Sequence, residues 1–260
     1  MKYKLLVEYD GTRYSGWQVQ KDQITVQGKI ANAVREIAPN MKFDLQGAGR
    51  TDRGVHALGQ VAHLDINQSI DCEKLKFKLN DELPKDVNII YVEKASPNFH
   101  ARKDAIARSY VYQISKRRLA FAKNYSWWVK DNLSVDRMRD VCELYKGVHD
   151  FASFSEKEKD GPSTKLKLDV MNIQETESLI LLRFKSRYFL WKMVRRLTGI
   201  IVEAGRKKVS LDEAAKFLER PSPKIAELTA PPSGLFLENV YYSGVEEGEG
   251  ITPPLLTATE

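Results

Sequence analysis

Apolar and polar residues alternate at the N-terminus and then change to a helical spacing. The alternation predicts a strand whose inward positions are Tyr3, Leu5, Val7 and Tyr9. A turn-rich stretch over residues 10–16 follows. The helical spacing predicts a helix with Val26, Ile30, Val34 and Ile37 on one stripe, ended by Pro39. A short strand at residues 43–45, a return strand at 55–64, a helix capped by Asp71 and a strand at 87–91 complete this half.

The second half repeats the pattern without repeating the sequence. A strand at residues 105–114 precedes a helix that Ser134 is expected to cap, and strands at 166–173 and 179–185 follow. A helix from about residue 188 ends at Gly205, and Ser210 with Glu213 forms a capping box for a short helix. Residues 235–242 predict the closing strand.

Both halves therefore have the order strand, helix, strand, strand, helix, strand. This order predicts an α+β fold of two ferredoxin-like βαββαβ halves, each with an antiparallel sheet and helices on one face, and an active-site cleft between them. The expected domains are residues 1–100 and 101–245. Residues 246–260 form an acidic and then Pro/Thr-rich tail, for which we expect disorder unless Leu255 and Leu256 dock on the fold.

Composition narrows the class of protein. The 260 residues are 42% hydrophobic and 29% charged, and no apolar run is long enough to cross a membrane. The N-terminus does not resemble a signal peptide, and Cys72 and Cys142 indicate reduced thiols in a cytoplasmic protein. The spacing of the His and Cys residues predicts no metal site. The net charge of +6 and local basic clusters are compatible with either a solvated surface or nucleic-acid binding.

One carboxylate stands out as candidate chemistry. Asp52 lies between Arg50 and Arg53 in a glycine-rich turn over residues 46–57. Cations on both sides favour the charged carboxylate, which is then available as a nucleophile or as half of an ion pair. The alternative is a turn aspartate that bonds its own backbone.

Two further groups could serve RNA recognition. Tyr110 and Tyr112 share a strand face with Arg108, an arrangement that suits base stacking or packing of a half-buried strand on helices. Arg195 lies at the edge of the apolar stripe of the helix from residue 188, where a cation needs a partner. Asp52 is a candidate for that partner.

The chain resembles the tRNA pseudouridine synthase A family along most of its length. The turn reads Gly49-Arg50-Thr51-Asp52-Arg53-Gly54-Val55-His56-Ala57, which is similar to the family motif G-R-T-D-x-G-V-H-A. Six further blocks follow the family order, and they begin at Tyr9, Phe99, Ala107, Gly147, Phe189 and Ala230.

This resemblance implies a homodimer that converts uridine to pseudouridine in the anticodon stem-loop of tRNA without a cofactor. It implies Asp52 as the nucleophile, attacking either ribose C1′ or uracil C6. Arg50 would fill the space of the flipped base, Tyr110 would pack on the uracil and help remove its C5 proton, and Arg195 would pair with Asp52. Arg108 and His56 lie in the matching motifs as further substrate-binding candidates.

Arg53 departs from the small residue that the family often has after the catalytic aspartate, and we expect it to touch RNA. The preferred substrate could accordingly be another structured RNA. A non-catalytic RNA-binding protein with a structural Asp52 is the alternative function. A glycosidase is disfavoured because such enzymes use two facing acidic groups, whereas this loop offers one.

Overall fold

The computed structural model describes residues 1–155, 163–220, 222–243 and 251–254. Ten strands and six α-helices lie in these residues. The strands are β1 (Lys2–Tyr9), β2 (Phe43–Gly47), β3 (His56–Ile66), β4 (Val87–Lys94), β5 (Ala107–Ser115), β6 (Trp127–Trp128), β7 (Gly147–Asp150), β8 (Lys165–Glu175), β9 (Leu179–Ser186) and β10 (Leu235–Tyr241). The helices are α1 (Val26–Ile37), α2 (Cys72–Glu82), α3 (Val135–Tyr145), α4 (Met193–Gly205), α5 (Leu211–Glu219) and α6 (Pro223–Glu227).

The chain divides into two compact units. The first consists of Met1–Ile106 with Phe236–Val245, and the second of Ala107–Leu235 with Glu246–Glu260. These ranges differ from the expected ones in two places. The first unit extends six residues beyond residue 100, and it includes the segment from Phe236, which the sequence pattern had placed in the second half.

The first unit contains a mixed sheet. Strand β1 pairs antiparallel with β3 and with β4, and β2 pairs antiparallel with β3. Because β1 takes one edge of β3, the strands β2 and β10 share the other edge. There β10 runs parallel to β3, with Phe236 opposite His56. The expectation of purely antiparallel pairing was therefore wrong at this position.

Local sequence explains the elements of the first unit. In β1 every second residue is buried, as the alternation of Tyr3, Leu5, Val7 and Tyr9 predicts. Each helix begins at a side chain that accepts a hydrogen bond from a backbone N–H of the first turn. Thr25 accepts from Gly28 in α1, and Asp71 accepts from Lys74 in α2. The two helices pack against each other, and α2 packs against β4.

The second unit contains the strand order β5-β9-β8-β7, antiparallel throughout, with β6 parallel to β5. Helix α3 packs against α4, α5 and β8. Ser210 accepts from the Glu213 N–H at the start of α5, as the capping box predicts. Ser134 occupies the N-cap position of α3 as expected, but its side chain makes no capping hydrogen bond.

Helix α4 begins later than its apolar stripe suggests. Lys192 has a φ of 60°, in the left-handed region, so the chain cannot enter the helix before Met193. The preceding residues 188–192 lie outside the helix and carry the side chains of Tyr188, Phe189 and Trp191 in irregular backbone. The short elements β6, β7 and α6 were not predicted, because two to five residues show no period.

Every residue of strand β5 is buried. The alternation of apolar and polar residues had predicted that only one face of this strand would be buried. Tyr110 and Tyr112 lie on the predicted inner face. On the other face Val111 joins a cluster with Leu119, Leu179, Leu181 and Ile251. A coil segment and one residue of the C-terminal tail thus cover a face that no amphipathic pattern indicated.

Within the described ranges, no helix is both long and apolar enough to span a membrane. No group of three or more His, Cys, Asp or Glu residues suited to a metal ion occurs among those same residues. Apart from residues 251–254, the tail expected to be disordered lies outside the described residues.

Candidate functional site

Asp52 lies in the loop that joins β2 to β3. Thr51 and Val55 on either side of it are buried, Asp52 itself is partly exposed, and Arg50 and Arg53 are exposed. The buried neighbours fix the backbone of the loop from within. Asp52 therefore lies on an anchored loop, with exposed Arg50 and Arg53 close to it in the sequence.

A tight turn sets the backbone at Asp52. The Asp52 carbonyl accepts a hydrogen bond from the Val55 N–H at 3.1 Å. Gly54 occupies the third position of this turn with a φ of 77°, a conformation that glycine adopts without steric cost. The Gly54 N–H donates to the Tyr14 carbonyl at 3.2 Å, which ties the turn to the segment after β1.

Thr51 is the second anchor of the loop. Its hydroxyl oxygen lies 2.8 Å from the hydroxyl of Tyr9, and both side chains are buried. Its carbonyl accepts from the Trp17 N–H at 3.2 Å. A buried hydrogen bond contributes about 0.5–1.5 kcal/mol, and more is lost when one partner remains unsatisfied. Tyr9 and Trp17 thus hold the residue directly before Asp52.

Two glycines allow this segment to approach the loop. A Cβ on Gly16, whose φ is 93°, would lie 2.4 Å from the Thr51 carbonyl oxygen and 3.2 Å from the Asp52 carbonyl carbon. A Cβ on Gly11 would lie 1.9 Å from the carbonyl oxygen of Val55. Backbone meets backbone at both positions, so neither glycine can gain a side chain without moving the loop.

His56 lies beneath the loop at the start of β3 and is 1% exposed. Its ring stacks on Phe236 with centroids 4.7 Å apart. The Gly11 N–H and the Asp10 carboxylate both lie 3.1 Å from Nδ1. Nδ1 cannot accept and donate at once. The Gly11 N–H can only donate, so Nδ1 accepts this hydrogen bond, and the Asp10 carboxylate accepts from the Thr12 N–H.

The second unit holds Tyr110, Arg108 and Arg195. The ring of Tyr110 meets Phe189 edge-on, with centroids 5.1 Å apart and an interplanar angle of 87°. Arg108 is buried in the same strand and donates from Nη1 to the carbonyl of Arg187 at 2.7 Å. The irregular residues before α4 are therefore held over β5 by an aromatic contact and a charge-assisted hydrogen bond.

Arg195 and Tyr112 hold consecutive residues of the segment before β10. The Arg195 Nε–H donates to the Ala230 carbonyl at 2.8 Å, and the Tyr112 hydroxyl donates to the Pro231 carbonyl at 2.7 Å. Burial raises the pKa of Tyr112 well above its ordinary value, and the positive charge of Arg195 opposes this shift. Tyr112 is therefore a neutral donor.

Gly199 and Gly234 let the same segment pack closely. A Cβ on Gly199 would lie 1.6 Å from the Leu228 carbonyl oxygen, and one on Gly234 would lie 2.6 Å from the Tyr112 ring. Three motifs distant in sequence, those of Tyr112, Arg195 and Ala230, therefore meet in the second unit. The hydrogen bond from the Arg195 side chain to the Ala230 carbonyl fixes the position of Arg195. The apolar stripe of the helix did not predict this contact.

The predicted site residues fall into two sets. Asp52, Arg50, Arg53 and His56 share the loop and its base in the first unit, and Tyr110, Arg108 and Arg195 lie in the second. Sequence reasoning gave no role to Tyr9, Gly11, Gly16 or Phe189. These residues lie in the family-like blocks 9–20 and 189–199, so the resemblance does include them. No periodicity or charge pattern distinguishes them from the other residues of those blocks.

The loop presents a carboxyl group on a fixed backbone. Hydrogen bonds and close glycine contacts hold the backbone at Asp52 in place, an arrangement that suits nucleophilic chemistry. Within the part of the chain that the structure describes, Arg50 and Arg53 form no salt bridge. Both side chains are exposed and available to an anionic ligand.

The sequence matches the family model described as tRNA pseudouridine synthase over residues 5–104 and 141–243. The matched ranges contain the whole Asp52 loop and Arg195. Arg108 and Tyr110 lie between them.

Individual relatives match almost end to end. The chain is 37% identical over 245 residues to tRNA pseudouridine synthase A 1 of Protochlamydia amoebophila (strain UWE25), covering 92% of this chain and 96% of that protein. It is 38% identical to tRNA pseudouridine synthase A of Rhodopseudomonas palustris (strain BisA53), with 93% and 99% covered. The protein of that name from Thermoanaerobacter sp. (strain X514) is 35% identical, with 92% and 98% covered.

Proposed function

Since the chain belongs to the tRNA pseudouridine synthase family, we propose that it isomerises uridine in the anticodon stem-loop of tRNA with Asp52 as the nucleophile. The observation that carries this proposal is the mounting of Asp52. Asp52 is partly exposed, whereas Thr51 and Val55 on either side of it are buried and hydrogen-bonded. A merely structural turn aspartate needs no such support from a separate segment, here residues 9–17.

The proposed reaction balances without a cofactor. Asp52 attacks the uridine at ribose C1′ or at uracil C6, and the bond between N1 and C1′ breaks. The uracil turns, C5 forms the new bond to C1′, and the covalent bond to Asp52 breaks and returns the free carboxylate. C5 loses its proton and N1 gains one. Uridine and pseudouridine are isomers, so no co-substrate is consumed. The target base must leave its stack before this chemistry, and Arg50 is placed on the exposed side of the loop to occupy the gap.

The other residues have supporting roles in this proposal. Tyr110 packs on the flipped uracil. The edge-to-face contact with Phe189 fixes the orientation of the Tyr110 ring. Arg53 and Arg108 contact substrate, with Arg53 on the exposed side of the loop. His56 acts beneath the loop as a positioning residue through Gly11. The resemblance assigns Arg195 as counter-ion to Asp52.

Isomerisation of an unmodified tRNA transcript tests the nucleophile. We expect Asp52→Asn to lower hydrogen release from C5-tritiated uridine by at least about 1,000-fold, because the amide cannot act as a nucleophile. RNA affinity should stay within about threefold, since one neutral isostere replaces one charge. Asp81→Asn, an exposed aspartate on α2, is the matched control and should keep full activity. A fully active Asp52→Asn would assign Asp52 a structural role.

Substitution of Tyr110 separates packing from proton transfer. Tyr110→Phe keeps the ring and the edge contact with Phe189 but removes the hydroxyl. If the hydroxyl takes part in removing the C5 proton, the single-turnover rate falls while binding is kept. An unchanged rate excludes an essential hydroxyl, and Tyr110→Leu then measures the packing contribution alone.

The resemblance also supports finer proposals about fold, assembly and location. The first unit has the strand order β4-β1-β3-β2 with antiparallel neighbours, and the order β5-β9-β8 in the second supports the same ferredoxin-like arrangement. We propose that the protein is a homodimer and that it is located in the cytoplasm. Sedimentation of the purified chain tests the homodimer. Mapping pseudouridines in RNA from cells without this protein tests whether the substrate is tRNA or another structured RNA.

A further inference from the structure

The segment from Lys116 to Lys130 differs in composition from the rest of the chain. Its 15 residues carry five basic and four aromatic side chains and no acidic one. The whole chain has 35 acidic residues among 260, so a segment of this length would on average hold about two. The segment lies in the second unit and belongs to none of the residues assigned to uridine chemistry above.

The fold holds this segment at both ends. It leaves β5 and returns as β6, where Trp127 lies opposite Ile114 and Trp128 opposite Ser115. The Val129 N–H donates to the Ser115 carbonyl at 3.2 Å. Between these ends Leu119 is buried in the cluster behind β5. The apolar anchors face inward, and the basic side chains are left at the surface.

Two cations flank one exposed indole. The ring centroid of Trp128, which is 38% exposed, lies 5.9 Å from the Arg118 guanidinium and 5.3 Å from the Lys130 ammonium. Like charges on one ring repel each other, so this arrangement favours a bound anion. Arg117 is exposed beside Arg118. We call Trp128, Arg117, Arg118 and Lys130 the Trp128 platform.

The cations of the platform differ from Lys116 at the start of the same segment. Among the described residues, none of the three cations of the platform forms a salt bridge, whereas Lys116 pairs with Glu175 at 2.7 Å. Phe121 in the same segment is fully exposed. Cations beside exposed aromatic rings are features that hold single-stranded nucleic acid, because phosphates bind the cations and bases stack on the rings.

We propose that the Trp128 platform binds the RNA substrate, with the arginines and the lysine on phosphates and the indole against an unpaired base. This inference rests on the proposed function, because it takes the partner to be the RNA on which the enzyme acts. An acidic protein segment would also satisfy the cations, but it would not use the exposed indole face.

Salt-dependent binding of an unmodified tRNA transcript tests the cations. Each phosphate contact contributes about 0.7–0.9 to the slope of log Kd against log salt, so Arg118→Gln with Lys130→Gln should lower that slope by about 1.5. Affinity at about 0.1 M salt should fall about tenfold. Lys74→Gln with Lys78→Gln removes two exposed lysines from α2 as a matched control. Equal slopes for the two double variants would overturn the platform.

Substitution of Trp128 tests the indole. Trp128→Leu keeps the apolar bulk and should weaken binding about tenfold, whereas Trp128→Phe should keep most of the affinity. Trp128→Leu should raise KM and leave kcat at saturating tRNA unchanged, because the platform is separate from the reacting base. Equal affinity of both variants and the unmodified enzyme would refute the role of the indole. If the unmodified enzyme forms pseudouridine while the platform variants bind normally, only this inference fails. If the unmodified enzyme neither binds tRNA nor forms pseudouridine, both this inference and the proposed function are wrong.

Discussion

Replacing Gly16 with alanine strains the Asp52 loop in two independent ways. The residue has a φ of 93°, which an L side chain adopts at a cost of about 1–3 kcal/mol. The new Cβ would also lie 2.4 Å from the Thr51 carbonyl oxygen, a backbone atom that cannot swing aside as a flexible side chain does. Such overpacking costs about 1–3 kcal/mol. We therefore expect Gly16→Ala to lower the free energy of unfolding by at least about 2 kcal/mol.

Thermal and urea unfolding measure this loss. For a chain of this size, 1 kcal/mol shifts Tm by about 2–4 °C, so we expect a decrease of at least about 4 °C. Gly49→Ala in the same loop is the matched control, because no atom lies within 4 Å of its Cβ position. Its stability should change by no more than about 0.5 kcal/mol.

Catalysis provides the second readout of Gly16→Ala. The clash bears on the Thr51 carbonyl and on the Asp52 backbone, so relief of the strain must displace the nucleophile. A displacement of about 1 Å can cost about 100-fold in rate. We expect kcat to fall more than KM rises. A Gly16→Ala protein that melts with the unmodified protein and keeps its kcat would refute the role given to this backbone contact.

Three further predictions concern other parts of the chain. Gly199→Ala should destabilise the second unit by about 2 kcal/mol or more, because its Cβ would lie 1.6 Å from the Leu228 carbonyl oxygen; a normal urea midpoint would contradict this. Burial lowers the pKa of His63 below its ordinary value of 6.5, although Asp44 opposes the shift. The unfolded chain therefore takes up the proton first, and stability should decrease as pH falls below about 6.5. His63→Gln should show a smaller decrease in its urea midpoint between pH 7.5 and 5.5, and an equal decrease would exclude His63 as its source. Burial raises the pKa of Cys142 to about 12, so a thiol reagent at pH 8 should modify Cys72 in the native protein and reach Cys142 only after unfolding.

Local pattern was a good guide where an element is long and has one buried face. The alternation in β1 and the stripe of α1 gave both elements nearly to the residue. The pattern failed where tertiary contacts decide. Helix α4 keeps an apolar stripe upstream of Met193, but Lys192 has a left-handed backbone there and the helix cannot extend. Ile251 covers one face of β5 from a distant part of the chain.

The sequence by itself determined which residues carry the candidate chemistry. The motif around Asp52 identifies the carboxylate, its arginines and the family, because these properties depend on residue type and close spacing alone. Only the tertiary structure decided how that carboxylate is held. Tyr9, Gly11 and Gly16 support the loop through contacts between segments about 40 residues apart, and such contacts leave no period in the sequence. The same reason applies to Arg195 and Ala230, which are joined by a hydrogen bond that only the folded chain reveals.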